Sequence, residues 1–348
     1  MRVVQVGTGK MSVFTMRYVR ERGGEIVGAY VRQSAVGKDI SELIGCEKTG
    51  VIIEKREDMD ASLKRLKPDI AIVTTRSLIK ELYEDLEVLA RNHVNVVTIC
   101  EEAFYPWDSN PIYAKKIDEL AKKYGVTITG SGYQDVSWGS MVTALCATSA
   151  SIKKIHGISS YNIEDYGLAT ASMHGSGLTM KEFEKEILEV NNVSEEKMKE
   201  LISEANFLPG YMFPVNGWIA SALELHPTKI TQSAEATTHS TDLYSDTLKK
   251  TIPAGDATGL KTTVTTETEE GIVIVTECIG KVFAADEIDV NEWIIEGEPN
   301  MRFVMEKPAT AEMTCACAVN RLPDIIAAEP GFVTTDKMPN LKFVRTFK

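Results

Sequence analysis

The first thirty residues constrain the fold more than any other stretch. Arg2–Val6 reads as a short apolar strand that runs straight into Gly7-Thr8-Gly9. Residues 11–22 follow with helical spacing, Gly23-Gly24 closes them, and residues 25–31 form a second apolar run. A strand, a tight glycine turn, a helix and a strand within about thirty residues make a βαβ unit. Its strands are parallel, so the sheet must be covered on both faces. The alternation continues with strands at 69–74, 94–100 and 126–129 and helices at 77–92 and 112–124. The spacing predicts an α/β N-terminal Rossmann dinucleotide-binding domain over residues 1–136.

The pattern changes near Ser137. A bridging helix over 137–149 leads to a strand at 155–161 and a Glu/Lys-rich helical segment at 181–205. Strand-like runs at 262–267 and 272–282 flank Glu269-Glu270-Gly271, a hairpin signal. Further strands are expected at 293–295 and 301–306. This predicts an α+β domain over 137–309, built on a mostly antiparallel sheet, that binds substrate and carries the oligomer contact. A helix is expected at 310–321, with Pro323 beginning another, and the segment 310–348 should pack back on the first domain.

Fifty acidic residues against 38 basic ones leave a formal charge of -12. That balance excludes the basic face a nucleic-acid partner requires. No apolar run approaches membrane-span length. The strand pattern begins at once, leaving no room for a signal peptide. The expectation is a cytoplasmic enzyme, with no membrane partner, that forms a homodimer or larger homo-oligomer. The six cysteines form no Cys-x-x-Cys pair and no zinc spacing with histidine, so no metal site is expected.

Gly7-Thr8-Gly9-Lys10-Met11-Ser12 is a GxGxxG variant with serine in the third glycine position. The first glycine permits the turn, the second lets backbone approach a pyrophosphate, and serine is small enough for the third. Phosphate then meets the amino end of the helix opening at Lys10 and Met11. The second strand ends Val31-Arg32-Gln33-Ser34, without the acidic residue that usually binds the ribose hydroxyls of NAD. Arg32, with Ser34, suits the extra phosphate of NADP, so NADP is the expected cofactor with NAD possible. Thr74-Thr75-Arg76 ends another strand. Thr74 and Thr75 either run along the cofactor or simply turn the strand into a helix capped by Ser77.

Glu101 and Glu102 stand together at the end of the strand that closes on Cys100. Ligands of an open parallel sheet sit beyond the carboxyl ends of its strands. Sugar dehydrogenases of the glucose-fructose oxidoreductase type resemble this layout but place Glu-Lys-Pro here, with the lysine as acid/base. No lysine occupies the Glu102 position, which disfavours alcohol oxidation. Glu306-Lys307-Pro308 occurs only late in the second domain. Dihydrodipicolinate reductases share the architecture, but their His-His pair and Lys-x-Asp-Ala-Pro-Ser-Gly-Thr loop are missing.

Several motifs are similar to those of the 2,4-diaminopentanoate dehydrogenases and the related native amine dehydrogenases. They are Gly7-Thr8-Gly9, Val36-Gly37-Lys38-Asp39, the run from Asn95 to Glu102, Tyr105-Pro106, Gly132-Tyr133-Gln134-Asp135 with Trp138, and Asn320-Arg321-Leu322-Pro323-Asp324. The resemblance runs over most of the chain. It implies a catalytic glutamate at this strand end, aligned with Glu101, with Glu102 as runner-up. It implies aromatic substrate contacts at Tyr133, Trp138 and Tyr166; Cys100, which closes the strand, is read as a further cofactor contact. It also implies NAD(P)-dependent oxidative deamination of 2,4-diaminopentanoate to 2-amino-4-oxopentanoate and ammonia, a step of ornithine breakdown.

The chemistry needs a carboxylate. A protonated amine has no lone pair to expel hydride, so a base must first take its proton. Negative charge then stabilises the developing iminium ion. His174, in a glycine-rich loop, and His226, before Pro227, are further candidates for holding a substrate carboxylate, with Met173 beside His174 as a substrate contact, or all three are plain loop residues. Alternatives are an amine dehydrogenase acting on simple ketones and amines, an enzyme using Cys100 or Cys146 as acylating nucleophile, and an NADP-binding sensor without turnover.

Overall fold

The computed structural model describes residues 1–347, which divide into two compact units, 1–141 with 309–347 and Val142–Pro308. In chain order the first unit contains β1 (Arg2–Val6), α1 (Lys10–Glu21), β2 (Glu25–Val31), α2 (Ser41–Ile44), β3 (Ile53–Lys55), α3 (Met59–Leu66), β4 (Ile70–Val73), α4 (Ile79–Arg91), β5 (Asn95–Thr98), α5 (Pro111–Tyr124) and β6 (Thr127–Gly130). A π-helical stretch, Asp135–Ser140, leads into α6 (Met141–Cys146). The second unit holds β7 (Ser151–Asn162), α7 (Leu168–Met173), α8 (Met180–Phe183), α9 (Glu189–Asn191), α10 (Glu195–Ser203) and α11 (Phe213–Ala222). It continues with β8 (Pro227–Thr238), β9 (Leu243–Ser245), β10 (Lys250–Ile252), β11 (Ala257–Thr268), β12 (Val273–Lys281), β13 (Val290–Glu298) and β14 (Met301–Glu306). The chain then adds α12 (Thr310–Ala327) and β15 (Gly331–Phe332) to the first unit.

The first sheet has the order β15-β6-β5-β4-β1-β2-β3, and every pairing in it is parallel. The strand order reverses at β1, between β2 and β4, which makes the β1/β4 carboxyl end the topological switch point. Apolar side chains leave both faces. Val4, Val6, Ala71, Val73 and Val96 pack with Leu82, Leu86 and Ile117 of α4 and α5. Val3, Ile70, Ile72 and Val97 face Met16 of α1 and Ala318, Leu322 and Ile325 of α12.

Pro323 does not begin a new helix as expected; it lies inside the single eighteen-residue α12. A proline there removes one helical hydrogen bond, but Ala318, Val319, Leu322 and Ile325 on either side are all fully buried. Packing outweighs the missing rung. Asp39, from the motif after β2, organises the loop to β3. Its carboxylate accepts from Ser41 N at 2.9 Å, Thr49 Oγ1 at 2.7 Å and Gly50 N at 2.7 Å. These donors hold its carboxyl far below the usual carboxylate range.

The second unit is built on a six-stranded sheet of order β14-β13-β7-β12-β11-β8. Only the β7–β12 pairing is parallel; the other four are antiparallel. β11 and β12 form the hairpin, with Gly271 at φ 78° in its turn. One sheet face is covered by α11, whose buried Asn216 donates to Thr266 Oγ1 at 3.2 Å and accepts from Thr276 Oγ1 at 2.7 Å. A polar residue deep under a sheet is tolerated because both ends of its amide are satisfied. Among the described residues no helix is long and apolar enough to cross a membrane.

Candidate active site

Five segments leave the carboxyl edge of the first sheet side by side: Arg32 after β2, Gly7 after β1, Thr74 after β4, Glu101 after β5 and Ser131 after β6. Gly7 sits at φ 97°, where L side chains rarely go, and a Cβ there would lie 2.8 Å from Thr74 Oγ1 and 2.9 Å from Thr75 Cγ2. Gly9 caps α1 without any side-chain hydrogen bond, and a Cβ at Gly9 would meet nothing within 4 Å. The space beside Gly9, where α1 begins at Lys10 and Met11, is therefore open. That is the cradle a pyrophosphate requires. Ser12 is fully buried and donates to the Gly9 carbonyl at 2.6 Å, bracing the turn from within.

Thr74 is tied inward. Its hydroxyl donates to the Val6 carbonyl at 3.2 Å and accepts from Gln5 Nε2 at 3.0 Å, while Gln5 accepts from Thr15 Oγ1 at 2.7 Å. Thr74 and Thr75 thus wall the Gly7 turn, and Thr74 has little hydroxyl capacity left for a ligand. Beyond β2, Arg32 and Ser34 are exposed. A cleft of about 640 Å³ opens beside them, lined by Arg32, Gln33, Arg56, Asp85, Val88 and Arg91 among others. Arg56 is ion-paired with Asp85 and, at 3.3 Å, with Glu84. Arg32 has no ion pair among the described residues.

The two glutamates occupy different environments. Glu102 is 2% exposed. Its Oε2 accepts from Ile79 N at 2.8 Å and its Oε1 from Ser109 Oγ at 2.9 Å. Ser77 does not cap α4; Glu102, from the next strand over, takes the first helical N–H instead. The Ser77 hydroxyl bonds the Glu101 carboxylate, and the Ser77 carbonyl accepts from Glu102 N at 3.2 Å. Glu101 keeps part of its surface open. Desolvation by the surrounding protein nonetheless pushes its carboxyl up, with the Ser77 hydrogen bond opposing. Burial also raises Glu102, against the donors at Ile79 and Ser109.

Gly130, the last residue of β6, lets this turn close. A Cβ there would lie 2.3 Å from the Ala103 carbonyl carbon and oxygen and 2.7 Å from Phe104 N. Gly130 did not stand out in the sequence and Ser77 did so only as a helix cap, because each acts on Glu101–Phe104 from more than twenty residues away.

Cys100 is fully buried in the core under α4 and α5 and offers no side chain to an open site. Its thiol is pushed well above the ordinary value by burial, with Glu101 adding to the shift, and Cys146 rises to about 11 through burial. Both shifts disfavour the thiolate, the form that acts as nucleophile, and so argue against the acylating-cysteine alternative. Beyond β6, Tyr133 and Trp138 meet edge to face at 5.4 Å. Tyr133 is 4% exposed and Trp138 is half-buried.

The second unit carries its own polar-aromatic cluster. Tyr161 at the end of β7 hydrogen-bonds His174 Nε2 at 2.8 Å, and His174 Nδ1 lies 2.9 Å from the Thr170 carbonyl. With Nδ1 donating to that carbonyl, Nε2 accepts from the phenol. Burial pulls the His174 pKa down, which favours this neutral form. Tyr166 packs on Tyr161 at 5.3 Å and is 43% exposed; Met173 is 63% exposed. His226 is not with them. It is paired with Glu270 at 2.6 Å beside the β11–β12 turn. The β7–β12 register runs from Lys154↔Val273 to Asn162↔Lys281, so the turn and Tyr161 lie at opposite ends of the sheet, roughly 25 Å apart at strand rise. The expectation that His226 shares a site with Tyr166 and His174 is corrected. No group of three or more potential metal-binding side chains occurs among the described residues.

Residues 137–346 match the family model of the 2,4-diaminopentanoate dehydrogenase C-terminal domain. The chain belongs to the 2,4-diaminopentanoate dehydrogenase family. It is 26% identical to a 2,4-diaminopentanoate dehydrogenase of Acetoanaerobium sticklandii, over 97% of this chain and 93% of that protein. The structure of an amine dehydrogenase from Mycobacterium smegmatis superposes with a TM-score of 0.86 at 34% identity, covering 100% of this chain and 98% of that one. A probable dehydrogenase from Thermotoga maritima shares the fold, with a TM-score of 0.59 at 11% identity over 97% of this chain and 92% of that one. Membership in this family makes the chain a dehydrogenase.

Proposed function

We propose that the chain catalyses oxidative deamination of an amine with a nicotinamide dinucleotide. Its substrate is 2,4-diaminopentanoate, its products are 2-amino-4-oxopentanoate and ammonia, and NADP serves at least as well as NAD. The observation that carries this proposal is Glu101, a desolvated carboxylate held by Ser77 two strands from the Gly7 turn. Two strand spacings correspond to roughly 10 Å, the reach of a cofactor lying across the sheet edge. The name of the Acetoanaerobium relative supports the diamino acid, and that of the Mycobacterium structure supports amine chemistry.

Gly7, Gly9 and Arg32 would hold the dinucleotide, and its nicotinamide would supply the acceptor for hydride from the carbon that bears the nitrogen. Glu101 does the proton work. As a carboxylate it takes a proton from the substrate ammonium, freeing the nitrogen lone pair that drives hydride departure. Once that proton has passed on to solvent, the restored carboxylate charge faces the developing iminium ion in a water-poor setting, where a fixed charge acts strongly. The same carboxylate activates the water that hydrolyses the imine. Tyr133 and Trp138 supply apolar walls that keep bulk water from the cation.

The test is a spectrophotometric screen of NADP and NAD reduction across 2,4-diaminopentanoate, other diamino acids, simple amines and hydroxy acids. Turnover is expected with amines and highest with 2,4-diaminopentanoate. Activity on hydroxy acids alone, or cofactor binding without turnover, would overturn the proposal. Preference for simple amines would reassign the substrate.

Gly130→Ala gives a sharper check on Glu101 placement. The added methyl collides with backbone at Ala103 rather than with a yielding side-chain end. It is expected to lower kcat/KM for the amine by about a hundredfold, the usual penalty for displacing a catalytic group by an ångström. Dinucleotide affinity, set at Gly7 and Arg32, should stay in place, as measured by fluorescence titration with NADPH. An active Gly130→Ala variant would show that the turn need not be held where it is.

A further inference from the structure

Two motifs far apart in the sequence meet in the first unit. Arg321, in the middle of α12, and Asp135, the first residue of the π-helical stretch, are each 1% exposed. Arg321 Nε donates to Asp135 Oδ2 at 3.1 Å, and Nη2 reaches Oδ1 and Oδ2, both at 2.9 Å. The remaining valences are filled as well. Arg321 Nη1 donates to the Pro339 carbonyl at 2.6 Å and to Asp324 Oδ2 at 3.0 Å, and Ser131 Oγ donates to Asp135 Oδ2 at 2.7 Å. A planar guanidinium on a carboxylate fixes direction as well as distance, which lysine cannot do.

The segment held this way is one that regular structure would not hold. Residues 135–140 wind as a π-helix, a rare form concentrated at functional sites. Gln134, 7% exposed, leaves its amide nitrogen without an acceptor. An unsatisfied donor and a π-helical turn both cost stability, and such features persist only where the surroundings over-determine them. Tyr133 stands two residues before Asp135 and Trp138 three after it. Thr314 of α12 adds a second tie, its hydroxyl oxygen accepting from Tyr133 N at 3.3 Å.

We infer that the Arg321–Asp135 pair is the positioning element for substrate recognition, pinning the π-helical turn so that Tyr133 and Trp138 face the amine. This inference rests on the proposed role of Tyr133 and Trp138 as substrate contacts. The pair touches no substrate. It acts through the turn, so its loss should appear in amine KM and not in dinucleotide affinity.

Removing one partner alone would strand a buried charge and endanger folding. Replacing both by apolar residues of similar size is often tolerated. The test therefore uses the double variant Asp135→Leu/Arg321→Met, with Arg321→Lys beside it and Trp138→Ala as reference. Amine KM, kcat, NADPH affinity by fluorescence titration and Tm are measured for each. Trp138→Ala should raise amine KM; if it does not, the substrate-contact role fails independently. Given that rise, the double variant and Arg321→Lys should each raise amine KM by about tenfold or more, with NADPH affinity and Tm retained. Unchanged KM in a folded double variant would overturn the inference, as would parallel losses of amine and NADPH binding. Failure of both variants to fold would assign the pair to folding alone and overturn it equally.

Discussion

Glu101→Gln is expected to lower amine turnover by about 10²–10⁴-fold, the range contributed by a positioned general base. NADPH affinity should be retained. Glutamine keeps an oxygen for the Ser77 hydroxyl, so the turn stays in place while the proton acceptor and the negative charge both vanish. The pH profile gives an independent signature. The carboxyl of Glu101 is pushed up by desolvation, and only the ionised form can take the ammonium proton. The rate of amine oxidation should therefore fall on the acid side as Glu101 protonates, with a midpoint above the ordinary glutamate range. Glu101→Gln should abolish that limb. A wild-type profile flat through the weakly acidic range, or a Gln variant with normal turnover, would remove Glu101 from the mechanism.

Glu102→Ala makes the contrast. Glu102 satisfies Ile79 N and Ser109 Oγ, so its loss uncaps α4. The expected cost is about 1–2 kcal/mol of stability, measured by urea unfolding, with a smaller activity loss than at Glu101. A stable but inactive Glu102→Ala variant would exchange the two roles.

The second large effect is expected at Arg32. Arg32→Ala should shift the NADP/NAD preference toward NAD by tenfold or more, since a charge-assisted bond is worth about 1.5–3 kcal/mol. Arg32 has no ion pair among the described residues, whereas Arg56 across the same cleft is taken up by Asp85 and Glu84. Those carboxylates also explain why the preference should be moderate. They line the cleft and would repel a phosphate placed there, so NAD is expected to remain usable in the wild type. Measured kcat/KM ratios for the two cofactors decide this; an unchanged ratio in Arg32→Ala would place the 2′-phosphate elsewhere.

Much of the architecture was legible in the chain because its signals are local. Period-two and period-3.6 patterning, Gly7 at the first turn and Gly271 at the hairpin each act within a few residues. Pro323 misled for the same reason. The local rule says that proline opens a helix, while the burial of Ala318, Leu322 and Ile325 keeps α12 continuous across it. Ser77 misled in a related way. It has the composition of a cap, but Glu102 reaches Ile79 first and releases Ser77 to Glu101. His226 looked like a ligand because it was a lone histidine before a proline. Strand register carried it to the far end of the sheet and onto Glu270.

The sequence by itself determined a doubly wound parallel sheet with a dinucleotide turn and two carboxylates at one strand end. Hydrophobic period and glycine position follow from neighbours along the chain. Only the tertiary structure decided which carboxylate is engaged and which stays open. That depends on Ser77 and Ile79, on Ser109 and on Gly130, which arrive from three separate segments. Desolvation and hydrogen-bond competition act through space, so two adjacent glutamates that look alike in the sequence differ once the chain closes around them.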